Sequence, residues 1–149
     1  SSDDVLVLEK APKTMLVVGA GAVGCEFSDV FNAYGTQVTL VDVAPQILPL
    51  EDADSSAEVA KAFKKRGIEV LTGARMSNVK VGKDSVSLTV EAGGATRELT
   101  VEKVLVAAGR APNTDTAGLK EAGVALTERG FVQVDDRFQT SVPGVYAIG

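Results

Sequence analysis

Three glycines and one acid stand out as residues whose spacing could do chemistry. Gly19, Gly21 and Gly24 lie in the segment GAGAVG, and Asp42 follows 18 residues after the last of them. The glycines come straight after an apolar run, Thr14–Val18, and open a segment with helical spacing, residues 22–34. A strand, a glycine turn and a helix in that order suit a dinucleotide. Gly19 permits the tight turn, Gly21 lets the backbone approach a pyrophosphate, and Gly24 allows the helix to pack against the strand. The helix start then offers free N–H groups and a partial positive charge to phosphates. Asp42 ends the next apolar run, Gln37–Val41, where a carboxylate can accept hydrogen bonds from ribose hydroxyls. Residues 43–46 carry no positive charge for a 2′-phosphate, so NAD is expected rather than NADP. Plainer readings are a glycine turn without a ligand, and Asp42 as a turn or cap residue before Pro45.

Composition removes other chemistries. The 149 residues contain no histidine, which takes away the commonest general base, the Ser-His-Asp constellation and most zinc sites. No metal site is expected. Cys25 is alone and cannot form an internal disulfide; it reads as core filler, and a cytoplasmic compartment is the expectation. A net charge of -5 argues against nucleic acid and anionic membranes, and no apolar run has the length of a membrane span.

The elements that must position these residues follow from periodicity. Val23, Phe27, Val30 and Phe31 mark one face of the helix over residues 22–34, which Gly35 ends. A second helix is expected over residues 55–66, with Ser55 as N-cap, Glu58 completing a capping box and Gly67 after its end. Residues 68–71 make a third strand. The period then changes to two, with Val79 and Val81, then Val86, Leu88 and Val90, then Leu99 and Val101 alternating with polar residues. Turns at residues 82–85 and 92–95 make this an antiparallel meander. The apolar run 104–108 returns to the parallel sheet, residues 114–123 form a short helix or turn, and residues 145–148 a last buried strand. The fold class is therefore α/β, a Rossmann-like parallel sheet with flanking helices and an inserted three-stranded antiparallel meander. Residues 1–12 read as a linker that frays or packs elsewhere, and residues 13–149 as one domain.

Three segments, GAGAVGCEF, VLVAAGRAPNT and FQTSVPGVYAIG, in this order and spacing, resemble the FAD-dependent pyridine nucleotide–disulfide oxidoreductases, and most of all those members that oxidise dihydrolipoamide. The resemblance covers essentially the whole chain and implies an NAD(H)-binding domain. Its parent would pass electrons from dihydrolipoamide through a redox disulfide and FAD to NAD⁺. It assigns Gly19, Ala20, Gly21, Ala22, Val23 and Gly24 to the pyrophosphate and Asp42 to the ribose. Met76 falls beside the adenine and Gly109 beside the nicotinamide. Glu26 falls near the carboxamide, in a supporting catalytic role facing a lysine of the FAD domain. Ala22 stands where some relatives carry a flavin-shielding tyrosine. For Glu26 a helix-dipole role is the alternative, and for Met76 simple packing. Arg110 and Asn113 shape a loop or touch a neighbouring domain.

The sequence carries no second glycine fingerprint, no redox pair of cysteines and no acid–base histidine. An excised domain, inactive alone, is therefore expected. Its partners would be the FAD and interface domains of the parent, a homodimer that assembles into a 2-oxoacid dehydrogenase complex. A self-contained dehydrogenase lacks a proton-transfer residue here. A non-catalytic NAD-sensing or regulatory domain is the alternative that remains.

Overall fold

The computed structural model describes residues 1–148, in two compact units that divide after Ala108. In the first, a four-stranded parallel sheet has the order β3-β2-β1-β7 and a separate antiparallel sheet the order β4-β5-β6. The parallel strands are β1 (Thr14–Val18), β2 (Gln37–Val41), β3 (Glu69–Leu71) and β7 (Lys103–Val106). The meander is β4 (Arg75–Val81), β5 (Val86–Ala92) and β6 (Ala95–Val101). Three helices complete the unit: α1 (Ser2–Leu6), α2 (Ala22–Ala33) and α3 (Ala53–Lys65).

Both faces of the parallel sheet are buried, which is why its strands read as continuous apolar runs. Successive side chains of β1 point to opposite faces. Met15 and Val17 join Val38, Leu40 and Leu105 under the helices, with Cys25 and Phe31 of α2 and Phe63 of α3. Leu16 and Val41 join Leu88, Val90 and Val101 under the meander. The meander thus covers the face where a doubly wound fold would place further helices. An ion pair ties the two sheets at one edge: Arg97 of β6 donates to Glu69 of β3 at 2.5 Å, and Thr39 of β2 donates to the same oxygen at 3.1 Å.

Several local expectations are corrected. Residues 1–12 hold a helix with a capping box at Ser1 and Asp4, and Val5 is in the core. The buried Thr36 hydroxyl donates to the Pro12 carbonyl at 2.7 Å, so this segment is docked. The buried face of α2 is Gly24, Cys25, Ser28 and Phe31, while Val30 is 44% exposed. Small residues let the helix axis come close to the sheet, and the apolar stripe turns accordingly. Helix α3 starts at Ala53 with Asp52 as N-cap, and Asp52 makes no side-chain cap bond. Ser55 lies inside it; the next residue, Ser56, is buried and donates to the Ile47 carbonyl at 2.7 Å, anchoring the first turn. Glu58 instead pairs with Lys61 on the surface. In the meander, Val79 and Val81 are exposed rather than inward. Asn78 has φ 53, and the β4–β5 register shifts between Ser77 and Lys80, so a bulge rotates the end of β4 away from the core.

The second unit begins at Gly109. Of the two readings for residues 114–123, short helix or turn, the structure shows turns, over residues 115–123. Residues 145–148 make one antiparallel bridge, Gln139↔Tyr146, and Val145, Tyr146 and Ile148 are exposed. The expected buried strand is not formed there.

Candidate dinucleotide site

The site is built where β1 ends. Gly19 donates to the Val41 carbonyl at 2.8 Å and Ala107 to the Val18 carbonyl at 2.7 Å, so the ladders on both sides of β1 run into the turn. Gly19 then takes φ 102, a conformation closed to ordinary side chains. A Cβ on Gly19 would also stand 2.7 Å from the Ala107 carbonyl oxygen. The end of the run 104–108, at Ala107 and Ala108, therefore passes directly beside the glycine turn. A Cβ on Gly24 would overlap the Gly19 carbonyl oxygen, which fixes the approach of α2. Gly21 differs: it is the N-cap of α2, with φ -72 and ψ -175, and nothing lies within 4 Å of where its Cβ would be. Two glycines serve packing, and the third keeps a space open in front of the helix.

The first amides of α2 follow directly; they have no intrahelical acceptors and no side-chain cap at Gly21. Ala22 is exposed and Val23 half-buried beside it. No acid occupies the first turn of α2. Glu26 is the fifth helical residue, exposed, and no hydrogen bond or salt bridge engages it among the described residues. The helix-dipole role offered for it is correspondingly small, because the effect falls off within the first turn.

Asp42 reaches the turn from the end of β2. One carboxylate oxygen, Oδ2, accepts from the Ala20 amide at 2.6 Å, and Oδ1 accepts from the Ala44 amide at 2.8 Å. The Ala20 carbonyl accepts from the Leu48 amide at 2.6 Å, and Leu48 has φ 48. The loop after β2 is thereby folded against the glycine turn. Ala44 accepts in turn from Gly73 at 2.7 Å, tying in the loop after β3. Ala44, Leu48 and Ser56 were not legible as parts of this arrangement. The spacing Asp42–Ala44, suited to a carboxylate bonding the amide two residues on, was the one available signal.

Cys25, one helical turn behind, donates weakly to the Ala20 carbonyl at 3.4 Å. Burial, with the nearby Asp42 and Glu26 carboxylates, pushes its thiol up to about 11. It is an inert core group, as composition suggested. Met76 packs against the meander core and lines a groove of about 480 Å³ with Val18 and Val106. A second cleft, of about 600 Å³, lies along α3 and β3 and contains none of the site residues. Gly109, in the second unit, is exposed with open space where a Cβ would stand, and Arg110 and Asn113 are exposed. Among the described residues no three histidine, cysteine or acidic side chains are grouped to hold a metal, and no helix is long and apolar enough to cross a membrane.

A glycine turn of this geometry, on a parallel sheet with a meander on its other face, is a Rossmann-like arrangement. Residues 1–149 match the family model described as pyridine nucleotide-disulphide oxidoreductase. The chain belongs to that family. It is 45% identical over 145 residues to a dihydrolipoyl dehydrogenase of Thermus scotoductus, covering 96% of this chain and 32% of the relative. It is 44% identical over 147 residues to a dihydrolipoyl dehydrogenase of Mycobacterium bovis, covering 99% and 32%. Among solved structures it resembles the HOCl-induced flavoprotein disulfide reductase RclA from Escherichia coli, with TM-score 0.81, 30% identity, and coverage of 97% of this chain and 32% of that one. The chain therefore spans about a third of the length of the relatives it matches.

Proposed function

We propose that this chain is the NAD(H)-binding domain of a flavoenzyme of the dihydrolipoyl dehydrogenase type. The observation that carries the reading is the division of labour among the glycines. Gly19 and Gly24 are filled to the limit by backbone, whereas Gly21 keeps open the space before the α2 amides. A pyrophosphate fits such a space because the amides supply oriented donors and partial positive charge. Asp42 keeps a second lone pair on each oxygen for a ribose hydroxyl. The absence of a cation at residues 43–46 supports NAD over NADP. Met76 and Gly109 remain assigned to the adenine and nicotinamide sides by resemblance. Glu26, exposed on α2, suits a supporting role at the carboxamide.

When bound, the nicotinamide supplies the hydride acceptor. This chain's own part is to bind and orient: the α2 amides hold phosphate, Asp42 holds ribose, and the Gly19 turn sets the direction of the cofactor. The redox disulfide, FAD and acid–base group belong to the remainder of the parent, with a cytoplasmic homodimer in a 2-oxoacid dehydrogenase complex as its setting. The similarity to dihydrolipoyl dehydrogenases over 96% of the chain favours this over a non-catalytic NAD sensor.

Calorimetry with ADP-ribose, NAD⁺ and FAD tests the reading. NAD⁺ is expected to bind at tens to hundreds of micromolar, about 5–6 kcal/mol, with ADP-ribose close behind. Tighter binding of FAD than of NAD⁺ sinks the assignment to the nicotinamide cofactor. A more than tenfold advantage of NAD⁺ over ADP-ribose sinks the claim that the ADP half carries the affinity.

A further inference from the structure

We infer that Asp42 is a positioning residue for the phosphate-binding turn, acting through Ala20, in addition to serving the ribose; the inference rests on the dinucleotide reading above. The Ala20 residue is fully buried and both of its backbone groups are held by the loop after β2. Its amide donates to Asp42 Oδ2 at 2.6 Å, and its carbonyl accepts from Leu48 at 2.6 Å. The residue after it is Gly21, whose backbone sets the mouth of the phosphate space. The other Asp42 oxygen closes a turn onto the Ala44 amide at 2.8 Å, which fixes the carboxylate itself. Bonds from amides to a carboxylate are about twice as strong as neutral ones, so this is a firm brace. It stands without any ribose present. Phosphate binding and ribose binding are therefore coupled through one side chain.

An asparagine at this position cannot serve both amides. It has one acceptor oxygen, and its NH₂ group would face an N–H whichever way the amide is flipped. The test uses this chain, Asp42→Asn, and two nucleotides, ADP and 2′,3′-dideoxy-ADP, the second having no ribose hydroxyl for the acid to accept. The variant is expected to bind dideoxy-ADP about tenfold more weakly than the unmutated chain, and ADP at least as much more weakly. An unchanged affinity for dideoxy-ADP overturns the positioning role and leaves Asp42 as a ribose acceptor only. Failure of the unmutated chain to bind either nucleotide overturns the dinucleotide reading itself. The brace is read independently by amide proton resonances: those of Ala20 and Ala44 should move upfield together in the variant while those of the meander stay in place. Resonances of Ala20 and Ala44 that do not move overturn the proposal. Should the variant not fold, amide exchange in the unmutated, ligand-free chain decides: strong protection at Ala20 and Ala44 supports the brace, and exchange at the rate of an open loop overturns it.

Discussion

Gly24 lies so close under the turn that any side chain on it would collide with the carbonyl oxygen of Gly19. The obstacle is backbone, which cannot swing aside as a flexible side chain would. Gly24→Ala must push α2 off β1, and the core of Met15, Val17 and Cys25 between them is expected to open. A loss of at least about 3 kcal/mol in chemical unfolding is expected, in the range of severe core disruption. Gly21→Ala should behave oppositely. Its backbone angles are ordinary and its Cβ meets nothing. The entropic gain of alanine, about 0.4–1 kcal/mol, is offset by its poor performance as an N-cap, so stability should change by less than about 1 kcal/mol. ADP affinity should nevertheless fall by more than about tenfold, equivalent to about 1.4 kcal/mol, because the methyl enters the phosphate space. Equal binding by Gly21→Ala would show that no phosphate comes near it.

The ion pair between Glu69 and Arg97 gives an acid dependence of defined sign. The Arg97 hydrogen bond, and its charge, hold the Glu69 carboxyl below the usual glutamate value, against a smaller opposing effect of burial. A folded-state value below the unfolded one adds stability that is present above the unfolded value, about 4.3, and lost as pH falls through the folded-state value. Both side chains are about two-fifths exposed, so solvent screening keeps the contribution below about 1 kcal/mol. Arg97→Gln should therefore lower stability slightly at pH 7 and leave it nearly unchanged at strongly acid pH. Unfolding curves at the two pH values measure the difference, and an equal loss at both would mean that packing, not charge, joins the sheets.

Cys25 should resist alkylation in the native state. With its thiol pushed to about 11, the reactive thiolate is scarce at pH 8, and burial blocks the reagent. Iodoacetamide labelling should become complete only in denaturant. The same shift works on stability in the alkaline direction. The unfolded thiol ionises first, so stability present below about 8.5 is lost as pH rises toward 11. Rapid labelling of the folded chain at pH 8 would place Cys25 at the surface.

NADH should be preferred to NADPH. A ribose hydroxyl can donate to Asp42, whereas a 2′-phosphate brings nearly two negative charges toward it. Coulomb repulsion at about 4 Å and an effective dielectric near 20 is about 4 kcal/mol per charge pair, reduced by water and salt to about 1–3 kcal/mol. That corresponds to a preference of about 5- to 150-fold. Asp42→Asn should leave only a weak preference, and adding Val43→Arg should invert it by supplying a partner for the phosphate. Parallel titrations at low and high salt check the order; equal affinities in the unmutated chain would remove Asp42 from cofactor selection.

Glu26→Gln should alter neither folding nor nucleotide binding in this chain by more than about 0.5 kcal/mol, since the side chain is exposed and unengaged among the described residues. In the flavoenzyme proposed above as its parent, the substitution is expected to slow hydride transfer. Destabilisation of the chain by several kcal/mol would reveal a structural role on α2 instead.

The bounds of β1 and β2 were legible from residues 14–18 and 37–41 because each is a short apolar run ended by glycine or an acid, and local pattern suffices for a strand buried on both faces. The glycine turn between strand and helix was equally legible, since its geometry lies in the order of six neighbouring residues. The assignment of the two sheets also followed from the change of period read from Val79 onward, although β4 itself begins at Arg75. What the sequence did not determine lies wherever a contact joins distant segments. Which stripe of α2 is buried depended on how near Gly24 and Ser28 let it come to the sheet, not on the count of its apolar residues. Docking of residues 1–12 depended on the Thr36 hydroxyl, 24 positions from its acceptor Pro12. Asp42 could be read as an acid near a ribose, but its grip on Ala20 spans 22 residues and exists only once β1 and β2 lie side by side. Periodicity reports which side chains share a face; only tertiary packing decides what that face meets, because a hydrogen bond or a close backbone approach needs both partners already in place.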